Sequence, residues 1–266
     1  ASPQIDERPN ILLIIADDLG FTDIGSFGGE IPTPNLDKLA FSGMRFSNFH
    51  TMPACSPTRA TLFTGVDPHL AGVGNMYEEL SPNQKGQPGY EGFLNDRVVS
   101  IATLLKNNGY RTYLSGKWHL AVTPDQGPTS QGFERSFSLI SGGASHFSDM
   151  RPAYAATPEA KAPYVENGKL LTELPEDFEY SSQFYVDKLI SYLEDEANSD
   201  KPFFGVLSFT APHWPLQAPD AAIEKHYGAY SEGYDVIYER RLTRVVELGI
   251  LPQAPEPPIP PKAVRW

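Results

Sequence analysis

Short runs of apolar residues recur along the chain in the pattern of strands buried on both faces. Asn10–Ala16 is a continuous run rich in β-branched residues, and Phe203–Phe209 is a second such run. Tyr110–Ser115 is a further strand candidate, and Met44–His50 alternates well enough to predict another. Unbroken apolar runs are typical of a parallel sheet that lies under helices.

Apolar residues at helical spacing predict helices between these strands. One helix begins at Pro34, after an N-cap residue at Thr33, and stops at Gly43. Another begins near Pro57 and ends at Gly65, since proline suits a first helical turn and glycine a C-terminus. Further helices are expected over Val98–Asn108, Ser181–Glu194 and Tyr234–Leu248, the last with Arg240, Arg241 and Arg244 on a solvated face. The fold class predicted is α/β, with a central, mostly parallel sheet flanked by helices.

The rest of the chain is rich in loops. The 25 prolines and 22 glycines concentrate in passages such as Gly65–Gly92, and Thr123–Glu179 is also expected to be loop-like. A proline-rich linker is predicted within residues 250–266. A chain of 266 residues can form one large domain or two small ones.

Charge and composition exclude several classes of function. A formal net charge of −12 argues against a nucleic-acid partner or an anionic membrane surface. No apolar run approaches membrane-spanning length, so no membrane span is expected. The single cysteine, Cys55, excludes an internal disulfide and leaves the compartment open between periplasm and cytoplasm. An anionic substrate would need locally concentrated positive charge or a metal to overcome the net field.

Two adjacent acids, Asp17 and Asp18, directly follow the first predicted strand. Ligands in open α/β sheets bind beyond the carboxyl ends of the strands. Paired carboxylates at that place favour a hard cation, Ca²⁺ or Mg²⁺. The alternative is a turn in which one aspartate caps the chain that follows.

Basic residues follow two other predicted strands. Lys117 and His119 come after Tyr110–Ser115, and their spacing in extended chain would point both side chains the same way, as a charge clamp beside a proton-transfer group. His213 follows Phe203–Phe209 between prolines that would hold its loop. Lys-x-His on a surface loop is common, so this spacing alone is not specific. His69 is expected to make a loop hydrogen bond rather than to be a ligand, and His146 is expected to be structural, with lining of a pocket as the alternative.

Cys55 lies at the predicted N-terminus of the helix that contains Pro57. The helix dipole and free amides there favour a developing negative charge, and Arg59 lies one turn further on the same face. The alternative, a buried structural cysteine beside a surface arginine, is equally compatible with the spacing. We expect this helix to bring Cys55 and Arg59 to the sheet edge where the three strands deliver their polar residues.

These residues resemble the signatures of type I sulfatases. Cys55-Ser56-Pro57-Thr58-Arg59, followed by Leu62 and Thr64-Gly65, resembles the C-x-P-x-R signature of that family. The stretch from Gly109-Tyr110 through Lys117-Trp118-His119 resembles its second signature. Pro9-Asn10-Ile11 through Asp17-Asp18, and Ala211-Pro212-His213-Trp214-Pro215, match in kind and order. The likeness is to bacterial arylsulfatases in the alkaline-phosphatase-like superfamily, and it spans nearly all of the chain.

The resemblance implies a modified cysteine and a metal. Cys55 would be oxidised to formylglycine by a formylglycine-generating machinery, and the aldehyde would hydrate to a geminal diol. The implied metal is Ca²⁺ rather than Mg²⁺, bound by Asp17, Asp18 and the modified Cys55. The implied reaction is hydrolysis of a small-molecule sulfate ester of the aryl type through a covalent sulfate hemiacetal.

The resemblance also implies roles for the remaining side chains. Lys117 and His213 would bind sulfate, and His213 would protonate the leaving oxygen. His119 would take the proton from the second hydroxyl so that sulfate leaves. Arg59 would hold the diol and the metal side of the site. Apart from the resemblance, Trp118 and Trp214 indicate space near the site for the aromatic ring of a substrate, although both residues suit core packing equally well.

Two features depart from the family pattern. Relatives are longer, and their later half supplies an Asp-Asn pair for the metal and another lysine for sulfate. No Asp-Asn pair follows His213, and Lys262 lies in the proline-rich linker. We therefore expect the chain to be the N-terminal portion of a sulfatase catalytic domain, completed by a C-terminal half that is absent or supplied separately. By itself it is expected to bind Ca²⁺ weakly and turn over poorly.

Two alternatives stay open at this point. A phosphonate or phosphate monoester hydrolase of the same superfamily can share the C-x-P-x-R motif. A catalytically incomplete fragment or binding module would keep the fold without turnover.

Overall fold

The computed structural model describes residues 8–154, 157, 159–197 and 199–255. The strands are β1 (Ile11–Asp17), β2 (Arg111–Lys117), β3 (Arg135–Leu139), β4 (Tyr164–Glu166), β5 (Lys169–Leu170) and β6 (Phe203–Pro212). The α-helices are α1 (Pro34–Ser42), α2 (Cys55–Thr64), α3 (Ile101–Asn107), α4 (Ser181–Glu194), α5 (Asp220–Lys225) and α6 (Tyr234–Glu247). Short 3₁₀ helices cover Gly25–Phe27, Tyr77–Glu79, Pro124–Gln126 and Pro128–Gln131. Of the proline-rich linker, residues 256–266 lie outside the described ranges.

The chain forms two compact units. The larger contains the chain up to Asp18 together with Thr51–Ala218, and the smaller contains Leu19–His50 and the chain from Pro219 onward. Within the described ranges, every helix is too short or too polar to cross a bilayer.

A six-stranded sheet in the order β1-β6-β2-β3-β4-β5 forms the centre of the larger unit. The first four of these strands are parallel to their neighbours, and β4 and β5 are added antiparallel. The predicted mostly parallel sheet is therefore confirmed. Gly116 on β2 has a φ of 118°, and a Cβ there would lie 1.8 Å from the carbonyl oxygen of Ser208 on β6. Only glycine permits these two strands to approach so closely.

Helices cover both faces of this sheet. On one face, Ala60 and Phe63 of α2 and Ala102 of α3 join a buried cluster with Leu114 and Val206 from the strands. On the other face, α4 packs across β6 and β2. Its Tyr185 and Leu189 belong to a second buried cluster. The helix predicted at Ser181–Glu194 is observed with the same bounds.

Helix ends in the larger unit follow their local sequence. Helix α2 ends at Gly65, whose φ of 71° lets its amide donate to the carbonyl oxygen of Thr61. Helix α3 begins later than predicted because the hydroxyl of Ser100 accepts from the amide of Thr103 and caps it there. Thr123–Glu179 was expected to be loop-like, and this prediction is wrong for β3, β4 and β5, which are short strands that depend on sheet pairing.

The smaller unit contains α1, α5 and α6. The strand predicted over Met44–His50 is wrong: the segment is irregular, and Met44, Phe46 and Phe49 are exposed rather than facing a core. Helix α6 was expected to present a solvated arginine face, which holds for Arg240 and Arg244.

The third arginine of that face, Arg241, is only 21% exposed and is not on the solvated face. It donates to both carboxylate oxygens of Glu30, at 2.6 and 2.8 Å, and also contacts Asp23. The prediction that it is solvated is therefore wrong, because acids distant in sequence cover it.

Candidate active site

The carboxyl ends of three neighbouring strands meet at one edge of the sheet. Strand β1 ends at Asp17, β2 ends at Lys117, and β6 ends one residue before His213. These strands are adjacent in the order β1-β6-β2. Because parallel strands end on the same side, their polar residues come together without any closeness in sequence.

The centre of the cluster is a buried ion pair between Asp17 and Lys117. The Nζ atom of Lys117 lies 2.5 Å from Oδ2 of Asp17, and both side chains are almost fully buried. Arg59 lies on the other side of the same carboxylate, with Nη2 3.3 Å from Oδ1. Each oxygen of Asp17 therefore faces a cation of the protein itself.

The guanidinium of Arg59 also fixes the sheet edge. Its Nη1 donates at 2.8 Å to the carbonyl oxygen of Lys117 and at 2.8 Å to the hydroxyl of Ser208.

Burial by itself raises the pKa of Asp17, but Arg59 and Lys117 outweigh that effect and hold it below its usual 3.8. Asp17 is accordingly ionised, and its single negative charge offsets part of the positive charge of the buried Arg59 and Lys117.

Cys55 and His119 form the second part of the cluster. Helix α2 begins at Cys55, and the Sγ atom lies 3.2 Å from Nδ1 of His119. Burial raises the pKa of the thiol, while the hydrogen bond with His119 and the charge of Lys117 bring it below the usual 9.0. Burial lowers the pKa of His119, and its contacts with Cys55 and Glu78 raise it above 6.5. This is the arrangement of a nucleophile position beside a base.

An extended backbone was expected from Lys117 to His119, but the backbone at His119 is left-handed. His119 has a φ of 54° and Asp18 a φ of 61°, and they are two of the four non-glycine residues with positive φ among the described residues. Left-handed backbone is unfavourable for such residues and is found where surrounding structure enforces it. Lys117 consequently reaches Asp17 while His119 turns toward Cys55.

Glu78 is a site residue that sequence reasoning missed. It lies in the 3₁₀ helix within the glycine-rich passage, and its two carboxylate oxygens are 3.2 and 3.3 Å from Nε2 of His119. Burial raises its pKa, and the hydrogen bond to His119 outweighs this and lowers the pKa to about 2. No local pattern marks this glutamate, because only the tertiary fold brings it to the imidazole.

His213 lies at the more open side of the cluster. Its Nε2 is 3.7 Å from Oδ2 of Asp18, and its Nδ1 is 2.5 Å from the carbonyl oxygen of Trp214. His146 is buried, and its ring nitrogens lie 2.9 Å from the hydroxyl of Ser181 and 3.3 Å from the carbonyl oxygen of His213. The expectation that His146 is structural is confirmed, since it supports the loop that carries His213.

Of the other residues singled out in the sequence, His69 and Trp118 lie outside the polar cluster. His69 makes a loop hydrogen bond, with Nδ1 3.0 Å from Oδ1 of Asp67, as expected. Trp118 is fully buried and packs 5.1 Å from the ring of Phe63, so it belongs to the core. Trp214 is 53% exposed.

The carboxylates at this sheet edge are too few to bind a divalent metal by themselves. Asp17 and Asp18 offer the carboxylate oxygens that Ca²⁺ prefers, but Ca²⁺ takes about six to eight oxygen ligands. Both oxygens of Asp17 already face Lys117 and Arg59. Across the described residues, no group of three or more His, Cys, Asp or Glu side chains is arranged to hold a metal. These residues suit Ca²⁺ in kind but do not by themselves form a site for it.

Comparison with solved structures defines the class of fold. The crystal structure of Ps i-CgsB in complex with k-i-k-neocarrahexaose matches with a TM-score of 0.71 at 30% identity, over 91% of this chain and 55% of that one. A protein in the alkaline phosphatase superfamily from Vibrio parahaemolyticus matches with a TM-score of 0.50 at 20% identity, covering 92% of this chain and 51% of that chain. The architecture is thus that of the alkaline-phosphatase-like α/β proteins.

Sequence comparison identifies the family. The family model described as Sulfatase matches residues 9–245, and the chain belongs to the sulfatase family. It is 43% identical to an arylsulfatase of Klebsiella aerogenes over 92% of this chain and 52% of that protein. It is 46% identical to an uncharacterized sulfatase of Schizosaccharomyces pombe over 93% of this chain and 45% of that protein. The chain spans about half the length of these curated relatives.

Proposed function

We propose that this chain is the Cys55-bearing part of an enzyme that hydrolyses sulfate esters of the aryl type. The observation that carries the proposal is the convergence of Cys55, His119, Lys117, Arg59 and His213 at one sheet edge in a chain of the sulfatase family. We further propose that a C-terminal half of the kind found in the relatives completes the site. "Completed enzyme" below means this chain together with that half.

Cys55 is proposed to be converted to formylglycine by a dedicated machinery. When hydrated, this group supplies two hydroxyl oxygens on one carbon, one to attack sulfur and one to lose a proton as sulfate leaves. Its position at the start of α2 supports anion binding, because the first amides of a helix are free to donate to sulfate oxygens. Lys117 and Arg59 add positive charge at the same place, and Asp17 keeps both side chains fixed.

The two histidines are proposed to move protons on opposite sides of the reaction. His119 lies 3.2 Å from the side chain of residue 55 and is placed to accept a proton there. His213 lies at the open side of the cluster, where the leaving oxygen of a bound ester would emerge, and would protonate it. Lys117 and His213 would both contact sulfate.

Ca²⁺, with Mg²⁺ as the alternative, is proposed as the metal of the completed enzyme. Asp17, Asp18 and the modified residue 55 would hold it, with further oxygens from the C-terminal half. Lys117 and Arg59 form ion pairs with both oxygens of Asp17 in this chain. Weak Ca²⁺ binding by the chain alone is therefore expected.

The aryl type of leaving group is supported by an exposed aromatic pair beside His213. The rings of Tyr154 and Trp214 lie 6.0 Å apart, and both side chains are largely exposed. Aromatic faces of this kind stack on planar rings. The 43% identity to a protein named arylsulfatase supports the same type.

The proposal is tested by substrate comparison with the completed enzyme, made in a host that contains the modifying machinery. Turnover is measured on an aryl sulfate, an alkyl sulfate and an aryl phosphonate monoester. We expect fastest turnover of the aryl sulfate. Faster turnover of the phosphonate would overturn the sulfatase proposal in favour of the phosphonate hydrolase alternative, and no turnover of any ester would favour a non-catalytic role.

The aromatic pair is tested separately with Trp214→Ala. The variant is expected to raise KM for the aryl sulfate by roughly fivefold, as loss of about 1 kcal/mol of stacking predicts, and to leave KM for the alkyl sulfate unchanged. Equal effects on both substrates would contradict a role in binding the aromatic ring.

A further inference from the structure

The imidazole of His119 is held from both of its nitrogens. Nδ1 lies 3.2 Å from the side chain of residue 55, and Nε2 lies 3.2 and 3.3 Å from the two oxygens of Glu78. His119 is only 6% exposed, whereas the side chain of Glu78 is 39% exposed and meets the buried ring from the solvent side. The three side chains form a line from the nucleophile position through the imidazole to a carboxylate.

The order of donors and acceptors along this line is determined by Glu78. A carboxylate can only accept hydrogen bonds, so the Nε2 atom that faces it must carry a hydrogen. In the neutral imidazole, Nδ1 is then the unprotonated nitrogen, and its lone pair is directed at residue 55. A base at that position needs this tautomer, because the other one would present N–H to the group that must lose a proton.

The backbone around residue 142 closes the third side of the ring. A Cβ at Gly142 would lie 2.8 Å from Cε1 and 2.9 Å from Nε2 of His119, and 3.4 Å from Oε1 of Glu78. The absence of a side chain there lets the ring and the carboxylate meet. The Gly142 amide also contributes to lowering the pKa of the Glu78 carboxyl.

We propose that Glu78 is a positioning residue that sets the tautomer and orientation of His119 for sulfate release; this rests on the proposed function. In that step, Nδ1 of His119 accepts the proton of the hydroxyl on residue 55. The electron pair of the O–H bond forms the carbonyl, the carbon–oxygen bond to sulfate breaks, and its electron pair leaves with sulfate. Glu78 then stabilises the imidazolium through its hydrogen bond to Nε2.

The first test uses Glu78→Gln with Glu79→Gln, the adjacent exposed glutamate of the same 3₁₀ helix, as the matched control. Nitrogen-15 NMR of the histidine rings in the chain itself, recorded at a pH above the raised pKa of His119, reports which nitrogen of its neutral ring carries hydrogen. We expect Nε2–H in the wild type and in Glu79→Gln, and a mixture or the opposite tautomer in Glu78→Gln, since an amide can donate to Nε2. An Nδ1–H ring in the wild type, or no change in Glu78→Gln, would overturn the proposal. The wild-type spectrum decides this even if the variant does not fold.

The second test measures kinetics in the completed enzyme. Glu78→Gln is expected to lower kcat on the order of 10²-fold with KM changed less than about twofold, because substrate contacts remain. Glu79→Gln is expected to keep wild-type values. An unchanged kcat in Glu78→Gln would contradict the positioning role. An inactive wild type would instead contradict the proposed function, and the NMR result would still decide the assignment of Glu78.

Discussion

The Sγ atom of Cys55 lies 3.2 Å from Nδ1 of His119, although 64 residues separate them in sequence. One residue begins helix α2, and the other follows the end of strand β2. The parallel sheet brings these two element ends together, and the buried pair of Asp17 and Lys117 lies beside them. The site is therefore a product of the topology rather than of any one motif.

Asp17→Asn is expected to destabilise the chain by about 3 kcal/mol, because it leaves Lys117 and Arg59 buried without their counter-ion. Asp18→Asn is the matched control, since its side chain is 63% exposed compared with 4% for Asp17. The control should stay within about 0.5 kcal/mol of the wild type. Urea unfolding at neutral pH measures both free energies. Equal effects of the two substitutions would show that the Asp17 ion pair is not structural.

His213→Gln is expected to slow the completed enzyme according to the leaving group. An alcohol needs a proton to leave, whereas an acidic phenol leaves readily without one. We expect a loss on the order of 10²-fold with an alkyl sulfate and less than about tenfold with a nitrophenyl sulfate. Steady-state kcat on a series of leaving groups measures this difference. A uniform loss across the series would contradict the role of His213 as proton donor.

Acid stability of the smaller unit is expected to depend on Glu30. The hydrogen bond from Arg241 is the main cause that lowers the pKa of Glu30 from 4.5 to about 2. A folded-state pKa below the unfolded value stabilises fully above pH 4.5, and this contribution is lost as the pH falls from 4.5 toward 2. Glu30→Gln should therefore cost about 2 kcal/mol at pH 7 and less at pH 3.5.

The matched control for that experiment is Glu232→Gln, which removes an exposed ion pair with Arg240. It should change the unfolding free energy by less than about 0.5 kcal/mol at either pH. Urea unfolding at the two pH values separates the cases. A Glu30→Gln effect that is the same at both pH values would contradict the pairing with Arg241.

The sequence alone predicts those elements whose burial is visible in local patterns. The runs at Asn10–Ala16 and Phe203–Phe209 are confirmed as the cores of β1 and β6, and Ser181–Glu194 is confirmed as α4. Strand β3 was not predicted, because buried Ser136 and Ser138 interrupt its apolar pattern. The strand predicted over Met44–His50 does not form, because alternation of apolar and polar residues does not by itself provide a neighbouring strand to pair with.

The same distinction applies to the site. Strand ends could be read from the sequence, so Asp17, Lys117 and His213 were expected at one edge, where the structure places them. Glu78 and the pairing of Arg241 with Glu30 depend on contacts between residues that are 41 and 211 positions apart. No periodicity or spacing encodes such contacts.

The most direct test of the proposed function is the rate of sulfate release from an aryl sulfate by the completed enzyme and by its Cys55→Ala variant. Both proteins are made in the same host with the modifying machinery, and urea unfolding verifies that the variant folds. The rate is expected to fall on the order of 10³-fold or more, because alanine can provide neither the modified group nor a nucleophile. A variant that releases sulfate within about tenfold of the wild-type rate would contradict the assignment of Cys55 as the reacting residue.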